Sequence, residues 1–370
     1  MTSNSVMGLL FANMHDESLM EMTSVRAMGS VPFGGRYRLI DFALSNLVNA
    51  GVSRVGVITK FNYRSLMDHL GSGKAWDLSR KSEGLCILPP AYADAASYNG
   101  RIDSMYSSMD FLRSSKSQYV ILSDCHVAGS IDFNALLEAH RESGADITVA
   151  YKEGKAPAFS DNLLLKVAED GRVKDIEIGA SSADKSLYGI GLYVMGRQTL
   201  LRLLTEAAGR DAHHFERDIL QKQLGILTVC GYAVKEYTVA VDSLRTYFAA
   251  NMALLDPTVR AQVFPKDRLV YTKVRDYPAA LYGLHSSVSN SLIGDGAHIE
   301  GTVRNSIIFR DVQIAAGAVV ENSIVLQGSV ISKSAQLDCA ILDKNVTIKE
   351  QRSMKGVETF PFYINKGATV

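Results

Sequence analysis

The loop after the first apolar run carries side chains that could contact a phosphate group or a metal ion. Residues 6–12 read VMGLLFA, which is typical of a strand buried on both faces of a parallel sheet. The polar segment NMHDES follows at residues 13–18. Loops in this position of nucleotide-binding α/β folds hold phosphates with backbone amides, often those of glycines. No glycine stands between Gly8 and Gly29, and the cation of the segment is His15. The loop therefore has the position of a phosphate site without its usual composition.

Two adjacent histidines, His213 and His214, invite comparison with zinc ligands. Side chains that are neighbours in sequence rarely both reach one ion, so we do not expect a zinc site there. The cysteines are far apart and form no CxxC pair, which favours buried free thiols over disulfides or zinc; they are Cys86, Cys125, Cys230 and Cys339.

Composition limits the classes of function. A chain of 370 residues exceeds the usual size of a single core, so two domains are expected. Lys plus Arg equals Asp plus Glu at 39 each, which gives no argument for nucleic acid or a membrane surface. No apolar run approaches the roughly 20 residues of a membrane helix. The first residues, MTSNS, lack the basic start of a secretory signal, so we expect a cytoplasmic protein.

The elements that must position these side chains form an α/β pattern as far as about residue 255. Apolar runs alternate with amphipathic segments, which predicts a Rossmann-like, mostly parallel sheet with helices on both faces. The strand ends at residues 13, 59 and 123 should then border one crevice. Predicted strands include residues 55–58, 119–122, 147–150 and 190–194, and predicted helices include residues 39–50, 65–70, 104–113, 134–143, 198–207, 215–223 and 244–255.

A repeat replaces this pattern in the C-terminal part. Four related phrases, VSNSLI, VRNSII, VENSIV and LDCAIL, begin at residues 288, 303, 320 and 337. Coils of this length with inward aliphatic residues predict a parallel β-helix of the hexapeptide type, for which we favour the left-handed form. Ordinary antiparallel strands are the alternative. Residues 359–364 could add a strand at the end of the solenoid. The predicted units are a nucleotidyltransferase-like domain at 1–255, a linker at 256–283 and a β-helix domain at 284–370.

The segment FGGRYRLIDFALSN at residues 33–46 is similar to FGGKFRIIDFALSN of bacterial glucose-1-phosphate adenylyltransferases, also called ADP-glucose pyrophosphorylases. VIT at residues 57–59 and YTKVRD at residues 271–276 also fit that family. The resemblance implies a nucleotidyltransferase-like domain followed by a β-helix. It also implies tetramers, and Mg²⁺-dependent synthesis of ADP-glucose from ATP and glucose 1-phosphate for glycogen.

The motifs that carry chemistry in that family are altered here. Its loop AGGxGTRL reads ANMHDESL, its RAKP reads RAMG, its AGDH reads SDCH, and its HDFGKDI reads HHFERDI. Sulfur is a poor ligand for Mg²⁺, which prefers oxygen. Four positions lose the family's functional side chain: the loop arginine is Ser18, the lysine is Met28, and the two metal carboxylates are Cys125 and His214.

Other positions retain the outline of the family's pockets. The remnant of the nucleotide side consists of Ala12, Asn13, Tyr98, Gly100, Asp103 and Asp124, and that of the sugar-phosphate side of Gly189 and Gly191. Arg26, Arg36 and Arg38 lie near the former site in sequence. We expect them either to contact an anion or to form surface ion pairs.

Scaffold segments that persist while catalytic groups are lost resemble the GlgD-type subunits of this family. The resemblance implies a chain with no intact catalytic residues and no bound metal or cofactor. Such a chain would modulate a catalytic glucose-1-phosphate adenylyltransferase subunit in a homo- or hetero-tetramer. Two alternatives stay open. One is an active enzyme with a rebuilt site that uses Asp103, Asp124 and Asp218 with Arg101 or Arg217. The other is a sensor of sugar phosphates or nucleotides.

Overall fold

The computed structural model describes residues 5–81, 83–90 and 100–370. In chain order, the strands of the first domain are β1 (Val6–Phe11), β2 (Pro32–Phe33), β3 (Tyr37–Arg38), β4 (Arg54–Ile58), β5 (Gly84–Leu88), β6 (Tyr119–Asp124), β7 (Val127–Ala128), β8 (Ile147–Gly154), β9 (Leu163–Val167), β10 (Val173–Ile178), β11 (Ser186–Gly196), β12 (Val229–Ala233) and β13 (Val239–Ala240). Nine of these strands form one sheet. Its half built from β5, β4, β1 and β6 is parallel, as predicted. The long strand β11 adds antiparallel pairs with β6, β8 and β9.

Helices cover both faces of this sheet. They are α1 (Met20–Thr23), α2 (Leu39–Asn49), α3 (Arg64–Leu70), α4 (Arg101–Ser107), α5 (Met109–Arg113), α6 (Phe133–Ser143), α7 (Arg197–Ala208), α8 (Leu244–Ala253) and α9 (Pro257–Val263), with a π-helical segment at Phe215–Gln221. The alternation of side chains along β1 shows why both faces need cover. Met7 and Leu9 pack in one buried cluster, whereas Val6 and Leu10 pack in another.

The repeat is a parallel β-helix, and this confirms the prediction. Its strands are β14 (Leu281–Tyr282), β15 (Ser287–Ser289), β16 (Leu292–Ile293), β17 (His298–Ile299), β18 (Thr302–Arg304), β19 (Ile307–Ile308), β20 (Gln313–Ile314), β21 (Val319–Glu321), β22 (Ile324–Val325), β23 (Val330–Ile331), β24 (Gln336–Asp338), β25 (Ala340–Leu342), β26 (Thr347–Ile348), β27 (Ser353–Lys355) and β28 (Phe362–Ile364). They form three five-stranded parallel sheets. The first residues of the four phrases stack in register, and β28 pairs with β25 as expected for the final segment.

The two halves share a buried cluster. Phe42 and Tyr247 of the first half pack in it with Ile307, Ile324 and Ile341 of the β-helix. Helix α9 and strand β14 both fall within residues 256–283, the predicted linker. The domain boundaries remain a prediction.

The structure also bears on the predictions about membrane helices and cysteines. Within the described ranges, no helix has the length and apolar character needed to cross a bilayer. All four cysteines are free, but Cys86 is exposed, so the expectation of burial is wrong for that thiol.

Candidate functional site

The loop after β1 is held by its own side chains. Asn13 Oδ1 accepts a hydrogen bond of 2.7 Å from the Lys60 backbone amide, and Asn13 Nδ2 donates to Asp16 Oδ2 at 2.7 Å. The backbone amide of Met28 donates to Asp16 Oδ1, also at 2.7 Å. Burial raises the pKa of Asp16 to about 7. In the loop where the family resemblance implies a phosphate, the Asp16 carboxylate therefore accepts the hydrogen bond of a backbone amide.

Asp124 ends β6 and enters the crevice, where Arg101, the first residue of α4, pairs with it. Arg101 Nη1 and Nη2 donate to Asp124 Oδ1 and Oδ2 at 2.6 and 3.0 Å. Both side chains are almost completely buried. Burial alone would raise the pKa of Asp124, but the adjacent guanidinium holds it below its usual range. The carboxylate therefore has a cation supplied by the protein itself.

Other contacts fix Arg101 in place. Its Nε lies 2.9 Å from Glu216 Oε1, and the Tyr193 hydroxyl donates to the same oxygen at 3.1 Å. The guanidinium also lies 4.5 Å from the ring centroid of Phe11 and 5.6 Å from that of Tyr193. A bidentate ion pair between aromatic rings is a rigid arrangement. Arg101 is therefore built into the floor of the crevice.

The glycines of the sugar-phosphate side serve this packing. Gly191 has φ +70°, and a Cβ atom there would lie 2.2 Å from Asp124 Oδ2. A Cβ atom at Gly189 would lie 2.9 Å from Leu163 Cδ2. On the nucleotide side, a Cβ atom at Gly100 would lie 2.0 Å from the His213 carbonyl oxygen. These glycines admit neighbouring protein atoms, whatever ligand the crevice takes.

The two positions aligned with metal carboxylates offer no oxygen. Cys125 is buried in the core, where burial raises the pKa of its thiol. His214 lines the crevice, and the nearby Asp218 accepts hydrogen bonds from the backbone amides of His213 and His214 at 3.1 and 3.0 Å. His213 Nδ1 lies 2.8 Å from Asp103 Oδ1. Since Mg²⁺ requires oxygen ligands and the carboxylates here already bind protein groups, this donor set does not fit the family's Mg²⁺.

A cavity of about 600 Å³ remains above this network. Asn13, Ser18 and Gly100 line it, together with Lys60 and Arg217. Ala12 and Met28 are fully buried beneath the loop and do not line it. Tyr98 lies outside the described residues.

The three arginines predicted as anion contacts separate into two environments. Arg26 is buried, and its Nη2 donates to both carboxylate oxygens of Asp343 in the β-helix at 2.8 Å. Arg38 is also buried and donates to the Ser65 carbonyl oxygen at 2.6 Å. The alternative of surface ion pairs is therefore wrong for Arg26 and Arg38. Arg36 lies with its guanidinium carbon 5.7 Å from the Tyr37 ring centroid.

A cationic cleft lies between the two halves of the chain. Arg36 and Arg38 of the first half meet Arg310 and Lys344 of the β-helix there, with Arg275 beside them. Arg310 Nε is buried and has no hydrogen-bond partner among the described residues. Burial lowers the pKa of Lys344 to about 7, and the charges of Arg38 and Arg26 act in the same direction.

Sequence reasoning did not identify several of these groups. The sequence indicates Arg101 only as part of a rebuilt site, and its pairing with Asp124 spans 23 residues. The cleft combines residues more than 200 positions apart, which no local motif signals. The persistence of Asp103 and Gly100 was visible, and Gly100 N does donate to Asp103 Oδ2 at 3.1 Å.

Comparisons with known proteins agree with this architecture. Residues 17–253 match the nucleotidyl transferase family model, and residues 280–358 match the GlmU-like C-terminal hexapeptide model. The chain is 33% identical to the glycogen biosynthesis protein GlgD of Bacillus subtilis and 34% identical to that of Geobacillus stearothermophilus. Each match covers 99% of this chain and 97% of the relative. It is 35% identical to the glucose-1-phosphate adenylyltransferase of Thermotoga maritima over 81% of this chain and 72% of that enzyme.

Proposed function

The chain belongs to the nucleotidyl transferase family, with GlgD proteins among its full-length relatives, and from this premise we propose that it is a non-catalytic regulatory subunit in glycogen synthesis. It acts together with a catalytic glucose-1-phosphate adenylyltransferase, the activity named for other relatives.

The ion pair between Arg101 and Asp124 carries this proposal. Transfer of an adenylyl group builds negative charge on the leaving pyrophosphate, and a metal on carboxylates must offset it. Here Asp124 already holds a guanidinium through both oxygens. Removing one contact to a transition state commonly costs roughly 10²–10³ in rate. The changes at Ser18, Met28, Cys125 and His214 add to this loss.

The intact scaffold supports a role in an assembly. The relatives named GlgD match along nearly the whole chain, so neither domain has been lost. The shared cluster of Phe42, Tyr247 and Ile307 packs the two domains against each other. A chain that keeps its architecture while its site changes is suited to binding a homologous subunit.

The test is to mix or co-express the chain with a catalytic glucose-1-phosphate adenylyltransferase from the same organism. We expect the two proteins to co-elute as one complex. The rate or effector response of the enzyme should change as the chain is added, and the change should saturate at a fixed molar ratio of chain to enzyme. An equal concentration of an unrelated protein is the control. Separate elution with an unchanged rate, KM and effector response would contradict the proposal.

The cationic cleft favours a second candidate function, which is binding of the phosphate group of a sugar phosphate or nucleotide as a signal; its cavity of about 30 Å³ has room for that group and not for the whole ligand. Arg310 Nε lies 3.8 Å from Asp295 Oδ2, which is too far for a hydrogen bond, and it has no hydrogen-bond partner among the described residues. Calorimetric titration with fructose phosphates, adenine nucleotides and sulfate tests this. Arg310→Gln should weaken binding, whereas Arg304→Gln, which removes an exposed arginine paired with Glu321, should not. No heat with any of these probes would remove the candidate.

A further inference from the structure

Two histidines and a carboxylate meet at the inner end of the crevice, and the proposed regulatory role makes no use of the two histidines. They are His15 in the loop, and Asp124 and His126 at the end of β6. One donor atom from each of the three lies within 4.8 Å of the others. Donors on a tetrahedral zinc ion at about 2.0–2.2 Å stand roughly 3.4 Å apart, so the three donors must move closer together by up to about 1.4 Å to bind one ion.

His126 provides an independent sign that a ligand belongs here. Its side chain is 3% exposed, and its Nδ1 has no hydrogen-bond partner among the described residues. Its ring meets that of His15 edge-on, with centroids 4.7 Å apart. A buried polar atom without a partner lowers the stability of the fold unless a ligand binds it.

The His15 ring lies between two carboxylates, those of Asp161 and Asp124. This ring stacks on Phe159 with centroids 3.8 Å apart, and its Nδ1 lies 3.5 Å from Asp161 Oδ1. Its Nε2 is directed to the other side and lies 3.8 Å from Asp124 Oδ2, too far for a hydrogen bond. At zinc centres a carboxylate commonly accepts a hydrogen bond from the ring nitrogen that does not bind the metal, and Asp161 lies near enough to His15 Nδ1 to do so after a small shift.

Beside Arg101, Asp124 keeps enough free lone pairs for one bond to a transition-metal ion that two imidazoles also hold, although not for the all-oxygen ligand shell of Mg²⁺. Its two oxygens offer about four lone pairs, and Arg101 takes one on each oxygen. Arg101 is itself shared with Glu216, so one guanidinium faces two carboxylates. A further cation at this point would improve the local balance of charge.

We propose that His15, Asp124 and His126 bind one divalent transition-metal ion of the zinc class, with Asp161 as the residue that orients His15. Two imidazole nitrogens select such an ion over Mg²⁺, which prefers oxygen. The ion fastens the loop at residues 13–18 to the end of β6. Its role is structural, and it is independent of the proposed regulatory role.

Cobalt provides the probe, because tetrahedral Co²⁺ absorbs visible light. The full-length chain, freed of metal with a chelator, is titrated with Co²⁺ and then with Zn²⁺ as competitor. We expect one equivalent of Co²⁺ to bind, Zn²⁺ to displace it, and millimolar Mg²⁺ not to. His15→Gln and His126→Gln should abolish the absorbance. Asp161→Asn should weaken binding about 10–100-fold. The control is His298→Gln, which removes an exposed histidine paired with Glu300 and should bind like the wild type.

A melting experiment keeps the test decisive if the buried His126→Gln variant does not fold. Zn²⁺ should raise the Tm of the wild type and leave that of His15→Gln unchanged. Absence of stoichiometric Co²⁺ binding by the wild type would overturn the proposal. Equal affinity in His15→Gln and the wild type would also overturn it. Neither result bears on whether the chain regulates an adenylyltransferase.

Discussion

Arg26 Nη2 lies 2.8 Å from both carboxylate oxygens of Asp343, although 317 residues separate the two. Both side chains are buried, and the Tyr363 hydroxyl donates to Asp343 Oδ2 at 2.7 Å. Arg26 follows the loop that borders the crevice, and Asp343 belongs to the β-helix. The pair therefore joins the segment that follows the crevice loop to the β-helix.

Asp343→Asn should destabilise the chain strongly. It leaves the Arg26 guanidinium buried without a counter-charge, which commonly costs about 3–5 kcal/mol. Urea unfolding followed by circular dichroism measures the loss. Asp295→Asn is the matched control, since Asp295 is half exposed and 3.8 Å from its arginine, and it should stay within about 0.5 kcal/mol of the wild type. Equal losses in the two variants would show that the interdomain pair is not special.

Gly191→Ala should destabilise the chain by more than the strain of its positive φ angle alone. Gly191 and Gly51 have nearly equal positive φ values of +70° and +75°. A Cβ atom at Gly191 would meet Asp124 Oδ2 at 2.2 Å, whereas one at Gly51 meets no described heavy atom within 4 Å. Gly51→Ala should therefore cost only the strain of about 1–2 kcal/mol, and Gly191→Ala should cost clearly more. Similar Tm values for the two variants would contradict the packing around Asp124.

Cys339→Asn should stabilise the β-helix. The third residue of each repeat phrase has a left-handed backbone, with φ of 41°, 44° and 44° at Asn290, Asn305 and Asn322, and 49° at Cys339. Asparagine accepts this conformation better than most residues, so we expect a gain of roughly 0.5 kcal/mol in the free energy of unfolding. Cys339→Ser also removes the sulfur but lacks this preference. An equal gain from serine would assign the effect to the thiol instead.

Sulfate binding to the cationic cleft should depend on pH through Lys344. Its pKa of about 7 in the folded chain means that it gains charge as the pH falls from about 8 to 6. Sulfate keeps its charge over this range, so its affinity should rise by roughly fivefold. Lys344→Met should remove most of this dependence, and the exposed Lys333→Met should retain it. A dependence unchanged in Lys344→Met would exclude Lys344 as its source.

The same lysine affects stability in the opposite direction. Its folded pKa lies below that of the unfolded chain, so the unfolded state binds more protons between about pH 7 and 10. The contribution of Lys344 to stability should therefore rise with pH across that window. The cost of burying its charge is present in full below about pH 7. Comparing pH-dependent melting of the wild type and Lys344→Met measures this contribution.

Much of the fold could be predicted because it is periodic. The asparagine-serine phrases recur at the coil length of the solenoid, and Val288, Val303 and Val320 do stack in register. The antiparallel pairs of β11 were harder to foresee, since an apolar run does not reveal the direction of its neighbour.

The sequence predicts which functional side chains of the family are missing from the site, but it does not predict the new contacts that form there. Aligned motifs showed what was missing at Cys125 and His214. The pairing of Arg101 with Asp124, and the approach of His15 to His126 over 111 positions, depend on how strand ends and loops meet in space. The sequence gives no sign that Arg26 is buried, because its partner Asp343 lies far away along the chain.

A crevice in which Arg101 holds Asp124 should not catalyse adenylyl transfer. The most direct measurement is the steady-state rate of ADP-glucose formation by the purified chain alone, with ATP, glucose 1-phosphate and excess Mg²⁺, beside a catalytic relative assayed identically. We predict a rate at least about 10³-fold below that of the relative. A rate within about tenfold of the relative would contradict the account.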